Sequence, residues 1–245
     1  MAPPTPGMLY TVGLGPGDPE LMTLKAARII AGAPVIAFFA KRGRVGHARS
    51  IVEGRINPSA EELRLEYPFT TEIAVRDPRY AIELGAFYEI AAATLATRLD
   101  AGQDVALLCE GDPYFYGSSL AVLDRLGGRY PSEVVPGVTG MSGCWTRADT
   151  PMVRGDDILT VLPGTLEEVH LVERLSTSDA AVIMKVGRNF AKIQMALRRT
   201  GRLDQAIYVE RGTMDGERVG PFAQVDGQTV PYFSLVLVPG RKRAR

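Results

Sequence analysis

Short apolar segments alternate with amphipathic ones along most of this chain, and this alternation limits the fold more than any other feature. Leu9–Leu14, Val35–Phe39 and Val105–Cys109 are apolar enough to be buried strands, and segments with helical spacing lie among them. Strands that are separated by helices pair in parallel, because a crossover returns the chain to the edge of the sheet where it began. The first half therefore predicts a mainly parallel sheet with helices on both faces.

Two helices of the first half have clear boundaries. Thr23 can cap a helix that ends at Gly32. Arg79–Ala101 carries apolar residues at three- and four-residue spacing, and Gly102 follows it as a stop. Further strands are predicted at Leu63–Tyr67 and Glu133–Val135, and a further helix at Ser118–Leu126.

The second half starts with the same alternation and then loses its helices. Helices are predicted at Leu166–Leu175 and Phe190–Thr200, and strands at Ile158–Leu162, Ala180–Val186, Ala206–Val209 and Tyr232–Val238. Asp215-Gly216 is a hairpin turn signal between strand-like segments that no helix separates. The second half therefore predicts a mixed sheet. We expect an N-terminal α/β domain at 9–137 and a C-terminal α/β domain at 138–240, between a disordered tail at 1–8 and a basic tail at 241–245.

Composition excludes several classes of protein. The chain has 245 residues, roughly one and a half times the length of a typical domain of about 150 residues, so it can form one large domain or two compact ones. Its 28 basic and 28 acidic residues cancel, which argues against a dedicated nucleic-acid binder. Cys109 and Cys144 lack the spacing of a zinc site or a disulfide framework. We expect no secretory signal and no membrane span, and therefore a cytoplasmic protein.

Three glycine-rich segments each follow a predicted strand of the first domain. They are Gly13–Asp18 (GLGPGD), Glu110–Gly117 (EGDPYFYG) and Pro136–Gly140 (PGVTG), named loops 1, 2 and 3 below. In a parallel sheet all three lie at the carboxyl edge, where ligands of open α/β sheets bind. The convergence of three such loops predicts a site for a small molecule.

Loop 1 does not have the spacing of a known nucleotide motif. The dinucleotide fingerprint needs a sixth-position glycine, and that position holds Asp18; no Gly-Lys-Ser/Thr follows for a phosphate loop. The alternative is a plain turn with Asp18 near the start of a helix. In loop 2, Asp112 stands beside Tyr114, Phe115 and Tyr116, which suits an adenosine-like ligand. The alternative there is a loop that packs aromatic rings into the core.

The other candidate polar residues indicate no particular catalytic or metal site. His47 and His170 form no catalytic triad or zinc set, and His47 is expected at the surface or at a cap. The pairs Glu61-Glu62 and Asp156-Asp157 are expected as solvated ends that precede strands. The turn Met184–Asn189 can line a ligand or simply join a strand to a helix.

With these loops, the sequence resembles the tetrapyrrole methyltransferases of cobalamin and sirohaem synthesis. The resemblance rests on residues 13–25, 110–117 and 134–139 and extends from Leu9 to Pro239. Within the family, the chain is most similar to the branch that methylates C-20 of precorrin-2. The segments that suggest this branch are Ala37–Lys41, Tyr67–Glu72, Thr150–Gly164, Val182–Asn189, Val209–Met214 and Pro231–Ser234.

The resemblance implies a homodimer of two-domain subunits, with S-adenosylmethionine in the cleft between the domains. Apolar surface around Tyr232–Val238 and on the first-domain helices is expected to support the dimer. By motif, the cofactor contacts are Pro16, Glu110, Gly111, Asp112, Phe115, Thr139, Gly140, Val186 and Gly212. Many relatives have Met in place of Val186 and Ala in place of Gly140.

Methyl transfer from a sulfonium is an in-line displacement that we expect to need no metal. The methylated carbon must then lose a proton, and Asp112 is the predicted base, with Asp18 and Glu110 as alternatives. The predicted substrate contacts are Asp18, Tyr116, Lys185 and Arg188, and Arg42, Arg44 and Arg49 are further candidates to pair with carboxylates of the acceptor. Another precorrin or cobalt-precorrin methyltransferase is an alternative, as is a nucleotide-binding module that transfers no methyl group.

Overall fold

The computed structural model describes residues 5–69 and 77–240, which divide into two compact units between Thr139 and Gly140. The first unit contains a five-stranded sheet in the order β3-β2-β4-β1-β5, in which every pair of neighbours is parallel. Its strands are β1 (Leu9–Gly13), β2 (Val35–Lys41), β3 (Glu61–Tyr67), β4 (Val105–Cys109) and β5 (Ser132–Val135). The predicted parallel sheet is confirmed.

Four helices cover this sheet. They are α1 (Leu24–Gly32), α2 (His47–Ile51), α3 (Pro78–Asp100) and α4 (Ser119–Leu126). The Thr23 side chain accepts a hydrogen bond from the Ala26 N–H at 3.1 Å, so the predicted cap of α1 is confirmed. The five-residue helix α2 was not predicted, because one and a half turns carry no measurable periodicity. His47, its first residue, is exposed, as expected.

Both faces of the first sheet are buried, as parallel sheets require. Leu95 and Leu99 of α3 are fully buried against Leu107 of β4. On the opposite face, Ile30 of α1 packs in a second apolar cluster with Val12 of β1. The helical spacing of Arg79–Ala101 thus identified a face that packs on the sheet.

Glu61 and Glu62 are exposed, as expected of a solvated strand end, but they do not precede the strand. Both residues lie within β3, and each carboxylate receives two hydrogen bonds from an arginine: Glu61 from Arg98 at 2.8 and 2.6 Å, and Glu62 from Arg49 at 2.6 and 2.9 Å. The Arg98 guanidinium holds the pKa of Glu61 below its usual value. Strand β3 is at an edge of the sheet, where charged side chains discourage pairing with another chain.

The second unit contains a mixed sheet in the order β6-β7-β10-β8-β9. Its strands are β6 (Leu159–Pro163), β7 (Ala180–Met184), β8 (Ile207–Glu210), β9 (Arg218–Pro221) and β10 (Ser234–Val238), and its helices are α5 (Gly140–Arg147), α6 (Glu168–Thr177) and α7 (Phe190–Arg199). Strands β6 and β7 are parallel, and β10 is antiparallel to both β7 and β8. The predicted mixed sheet is confirmed, and Asp215-Gly216 lies in the connection between the antiparallel strands β8 and β9.

The second unit differs from the sequence predictions in two features. Helix α5 was not predicted, because its sequence, GMSGCWTR, contains two glycines and no helical stripe. The segment around Tyr232–Val238 does not offer a broad apolar surface. Strand β10 is central in the sheet, so Val236, Leu237 and Val238 are fully buried, whereas Tyr232 is exposed.

Residues 5–8 of the predicted N-terminal tail are among the described residues. The Gly7 N–H donates a hydrogen bond to the Leu99 carbonyl and the Met8 N–H donates to the Asp104 carboxylate, each at 2.8 Å, so these two residues of the predicted tail are held by the first unit. The residues 1–4 of that tail and the basic tail 241–245 lie outside the described residues. None of the helices in the described part of the chain is long and apolar enough to cross a membrane.

Arg202 is a deeply buried cation of the second unit. Its side chain donates to four main-chain carbonyls, those of Leu175, Ser178, Asp179 and Pro239, at 2.5 to 3.3 Å. The Leu175 carbonyl lies in the last turn of α6, those of Ser178 and Asp179 lie between α6 and β7, and that of Pro239 follows β10. A single guanidinium therefore satisfies backbone acceptors that come from segments far apart in the sequence.

We expect Arg202→Met to lower the free energy of unfolding by about 3 kcal/mol, because buried carbonyls lose their donors. Arg198→Met is the control, since Arg198 is an exposed residue of α7. Chemical denaturation followed by circular dichroism measures both variants. Equal denaturation midpoints for the two variants would contradict a structural role of Arg202.

Candidate functional site

The three glycine-rich loops meet at one edge of the first unit. Strands β4, β1 and β5 are consecutive in the sheet, and loops 2, 1 and 3 leave their carboxyl ends in that order. Since parallel strands end at the same edge, the three loops are neighbours, as the sequence predicted.

Direct backbone contact joins loops 1 and 2. Gly15 and Gly111 exchange hydrogen bonds in both directions, at 3.3 and 2.8 Å. A Cβ on Gly137 would lie 2.1 Å from the Gly111 carbonyl oxygen, and a Cβ on Gly13 would lie 2.6 Å from the Gly137 nitrogen. Only glycine fits where main chains approach so closely.

Asp112 ties loop 2 to loop 3. Its Oδ1 accepts from the Tyr114 N–H at 2.9 Å, and its Oδ2 accepts from the Gly137 N–H at 3.1 Å. Both oxygens of this half-buried carboxylate thus hold backbone donors and keep lone pairs for a further partner. The catalytic role of Asp112 stays a prediction. Its two hydrogen bonds also give it a structural role, because they hold loop 2 against loop 3.

The aromatic residues of loop 2 mostly face solvent. Tyr114 is 65% exposed and Tyr116 is 48% exposed, whereas Phe115 is half-buried and makes an edge contact with the Tyr116 ring. The alternative in which the loop packs these rings into the core is therefore wrong for the two tyrosines. Tyr116 has a backbone φ of +57°, a conformation that non-glycine residues rarely adopt.

Loop 1 ends at the start of a helical turn, as the alternative interpretation expected. Asp18 Oδ1 accepts from the Glu20 N–H at 2.8 Å and caps a single 3-10 turn, Pro19–Leu21. Pro16 is buried at the preceding bend. A contact of Asp18 with substrate stays a prediction.

Glu110 has a structural partner that the sequence did not reveal. Its Oε1 accepts from the Ala48 N–H at 3.1 Å, at the first turn of α2. Because α2 itself was missed, no sequence pattern could have paired Glu110 with it.

The second unit has a corresponding carboxyl edge. Strands β7 and β8 are both antiparallel to β10 and so run in the same direction as β6. The segments after β7 and β8 therefore lie at one edge. Three of their non-glycine residues have positive φ: Lys185 at +58°, Arg211 at +50° and Thr213 at +69°. Strained backbone of this kind concentrates at functional sites.

The predicted contacts of the second unit differ in accessibility. Lys185 and Arg188 are exposed, and Gly140 opens α5, where a Cβ would meet no atom within 4 Å. Val186 is fully buried in the core, so only its main chain can reach a ligand. A Cβ on Gly212 would lie 2.8 Å from Cys144 Sγ, and burial raises the pKa of that thiol to about 12.

The predicted site residues thus fall into two groups. Pro16, Glu110, Gly111, Asp112, Phe115 and Thr139 belong to the first unit, and Gly140, Val186 and Gly212 belong to the second. Among the further basic candidates, Arg49 is held by Glu62 in a two-pronged ion pair, which leaves Arg42 and Arg44. Across residues 5–69 and 77–240, no three His, Cys, Asp or Glu side chains are grouped so as to hold a metal ion.

Gly137→Ala tests the loop junction. We expect a loss of about 2 kcal/mol or more in stability, because the new methyl group meets backbone atoms that cannot move aside. Gly85→Ala is the matched control: Gly85 lies within α3, nothing stands within 4 Å of its Cβ position, and alanine should be neutral or favourable there. Thermal unfolding compares the two, and a Gly137→Ala protein as stable as the wild type would refute the close approach.

Known proteins are similar to this chain in sequence and in fold. The family model of the tetrapyrrole (corrin/porphyrin) methylases matches residues 8–225. A precorrin-2 C(20)-methyltransferase of Sinorhizobium is 53% identical over 96% of each chain, and a cobalt-precorrin-2 C(20)-methyltransferase of Salmonella typhimurium is 30% identical over 95% of this chain and 96% of that protein. The solved structure of a cobalt precorrin-4 methyltransferase, CbiF, aligns with a TM-score of 0.70 at 20% identity, covering 95% of this chain and 94% of that one. This chain belongs to the tetrapyrrole methylase family.

Proposed function

We propose that this protein methylates C-20 of precorrin-2 during cobalamin synthesis, with S-adenosylmethionine as the methyl donor. The observation that carries the proposal is the 53% identity with a precorrin-2 C(20)-methyltransferase over 96% of both chains. That identity extends over almost the whole length of both proteins, so it includes the segments that carry the three glycine-rich loops of this chain. The alternative of a nucleotide-binding module without transferase activity loses its support.

The carboxyl edge of the first unit fits the donor. Gly111, at a φ of +65°, lets main chain approach a ligand without a side chain between them. Phe115 offers a half-buried ring beside it, and Asp112 has lone pairs left for a hydroxyl or an ammonium group. In our proposal the other contacts with the donor are Pro16, Glu110, Thr139, Gly140, Val186 and Gly212.

When bound, S-adenosylmethionine supplies an electrophilic methyl group on a positively charged sulfur. The contribution of the protein is then to fix the acceptor carbon in line with that group and to exclude water, which can supply several kcal/mol through orientation alone. Because the methylated C-20 must lose a proton, a carboxylate beside the donor site is needed as base, and Asp112 is our candidate. Asp18, Tyr116, Lys185 and Arg188 are the proposed contacts with the acceptor.

A cobalt-bearing acceptor is the second candidate. The 30% identity with a cobalt-precorrin-2 C(20)-methyltransferase supports it, although the identity with the enzyme for the metal-free acceptor is much higher. We propose that precorrin-2 is the preferred acceptor and that turnover needs no added metal.

We also propose a homodimer in the cytoplasm. Two isoleucines of α3, Ile82 and Ile90, are 71% and 68% exposed, and a second copy could cover them. Cys109 and Cys144 are free thiols, which agrees with a reducing compartment.

Turnover with methyl-labelled S-adenosylmethionine tests the reaction. We expect the label at C-20 of precorrin-2, slower turnover of cobalt-precorrin-2, and the same rate when EDTA is present. NMR of the product locates the methyl group. Label at another carbon, or loss of turnover in EDTA, would overturn the corresponding part of the proposal.

The role of Asp112 is tested by Asp112→Asn, with Asp124→Asn on the exposed face of α4 as control. Asparagine has the shape of aspartate but cannot act as the base. Its amide NH₂ also faces one of the two N–H donors, so one of the two hydrogen bonds of the carboxylate is lost. We expect kcat to fall by about 10²-fold, the usual scale for general base catalysis. A normal kcat with a raised KM for S-adenosylmethionine would assign Asp112 to binding instead.

For the dimer, we expect sedimentation at micromolar concentration to give twice the chain mass, and the double variant Ile82→Lys/Ile90→Lys to sediment closer to the monomer. A monomeric wild-type protein would rule out the proposed assembly. If the double variant stays fully dimeric, the dimer interface does not involve these residues of α3.

A further inference from the structure

We infer that Glu217 and Arg147 are positioning residues for the methyl donor, because together they fix the turn after β8, Arg211–Met214, against helix α5. The inference rests on the proposed function, which assigns Gly212 of this turn and Gly140, the first residue of α5, to the donor site. It adds two residues that lie outside the glycine-rich loops and outside the predicted contacts. Both act through the turn and do not touch the donor themselves.

The turn after β8 has an unfavourable backbone conformation. The Met214 N–H donates to the Arg211 carbonyl at 2.8 Å and closes a turn of four residues. Thr213, the third of them, has a φ of +69°, and turns with positive φ at this position normally have glycine or asparagine there. In a β-branched residue this φ is a genuine outlier, because Cβ lies too close to the following carbonyl oxygen. Thr213 therefore needs contacts that hold it in this conformation.

Packing against α5 explains why the glycine of this turn is at position 212 and not at position 213. A Cβ on Gly212 would lie 2.8 Å from Cys144 Sγ and 3.2 Å from Cys144 Cα. Only a residue without a side chain allows the main chain to come so near to the helix. The glycine thus serves the close approach to α5, and the strain stays at Thr213.

Glu217 holds the strained residue. Its Oε2 accepts a hydrogen bond from the Thr213 N–H at 2.7 Å, and hydrogen bonds from main-chain N–H groups to carboxylates are stronger than those between neutral groups. The Glu217 side chain is only 19% exposed, so water reaches little of it. Thr213 follows β8 and Glu217 directly precedes β9, so this bond fastens the connection between the two strands.

Arg147 fixes Glu217 and links the turn to α5. Its Nε donates to both carboxylate oxygens of Glu217 at 2.8 Å. Arg147 is the last residue of α5, and Gly140 is the first. Because a two-turn helix moves as a unit, the ion pair fixes the turn that contains Gly212 relative to the start of the helix. Two proposed donor contacts of the second unit are therefore held in one arrangement before the donor binds.

An ion pair elsewhere in the second unit shows what is special about this one. Glu168 of α6 accepts from Arg199 of α7 at 3.0 Å, and the exposed fractions of the two side chains, 28% and 62%, are close to the 19% and 55% of Glu217 and Arg147. Glu168 and Arg199 lie in regular helices, whereas Glu217 also accepts from the main chain of a strained residue. Exposed ion pairs by themselves contribute little to stability. We therefore assign Glu217 an effect on donor binding that Glu168 does not have.

The expected effect is on the affinity for the donor and not on the transfer step. A donor binds only to the turn conformation that fits it, so the apparent Kd rises by the factor by which the population of that conformation falls. Without the Glu217 carboxylate, Thr213 relaxes toward negative φ, and the fitting conformation becomes a minor one. Once the donor is bound, the turn is the same as in the wild type, and so is the rate of methyl transfer.

Calorimetric titration of the full-length protein with S-adenosylmethionine tests the inference. We expect Glu217→Ala to raise the Kd about tenfold, which corresponds to a fitting turn populated about a tenth of the time. Glu217→Gln keeps an oxygen for the Thr213 N–H but loses the charge, so we expect a smaller rise of about threefold. Glu168→Ala is the matched control and should bind the donor like the wild type. Wild-type affinity in Glu217→Ala would overturn the positioning role.

Steady-state kinetics with precorrin-2 separate positioning from a loss of folded protein. In Glu217→Ala we expect the KM for S-adenosylmethionine to rise about tenfold while kcat changes by less than about twofold. A variant that is only less stable has fewer active molecules, which lowers the apparent kcat and the calorimetric stoichiometry but leaves the KM and the Kd unchanged. That result would reduce Glu217 to a structural role.

A double-variant cycle tests whether Glu217 acts through Thr213. Glycine adopts a φ of +69° without strain, so a Thr213→Gly protein depends less on the carboxylate. We expect the loss of affinity caused by Glu217→Ala to shrink from about tenfold in the wild-type background to about threefold in the Thr213→Gly background. A tenfold loss in both backgrounds would show that the two residues are not coupled and would refute this route.

These outcomes are distinguishable from a failure of the proposed function. If the wild type methylates precorrin-2 and Glu217→Ala binds the donor equally well, the positioning role is wrong and the function stands. If Glu217→Ala weakens donor binding but no methyl group reaches C-20 in the wild type, the positioning role stands and the assigned reaction is wrong.

Discussion

Close contact between three main-chain segments is the constraint on which the candidate site depends. Gly13, Gly111 and Gly137 lie so near one another that a Cβ on Gly13 or Gly137 would overlap backbone atoms of the adjoining loops. The Asp112 carboxylate holds two of these segments through the Tyr114 and Gly137 N–H groups. With the loops fixed in this way, the side chains of loop 2 project from a rigid base.

Residues beside such fixed segments can keep strained backbone conformations and expose apolar side chains. Tyr116 keeps a positive φ, and Lys185, Arg211 and Thr213 do so at the corresponding edge of the second unit. Such conformations persist only where surrounding structure is stable enough to hold them. The stability comes from the doubly covered sheet of the first unit and, in the second, from a core reinforced by Arg202.

Sequence periodicity was sufficient for the regular elements and insufficient for short or irregular ones. The long helix α3 and the buried strands were predicted to within a few residues, because each carries a clear apolar spacing. Helices α2 and α5 were missed: one has five residues, and the other contains two glycines. Glu61 and Glu62 were placed before a strand because an exposed edge strand has charged residues where a central strand has apolar ones.

The sequence by itself determined the succession of strands and helices, the glycines at their ends and the resemblance to the tetrapyrrole methylases, because all of these are local. The tertiary structure decided which polar groups are already engaged. Asp112 meets a donor 25 residues away, Glu110 one 62 residues away, and Arg64 holds a turn 20 residues before it. Hydrogen bonds at such separations depend on how strands are ordered in the sheet, and that order is a property of the packed core rather than of any local pattern.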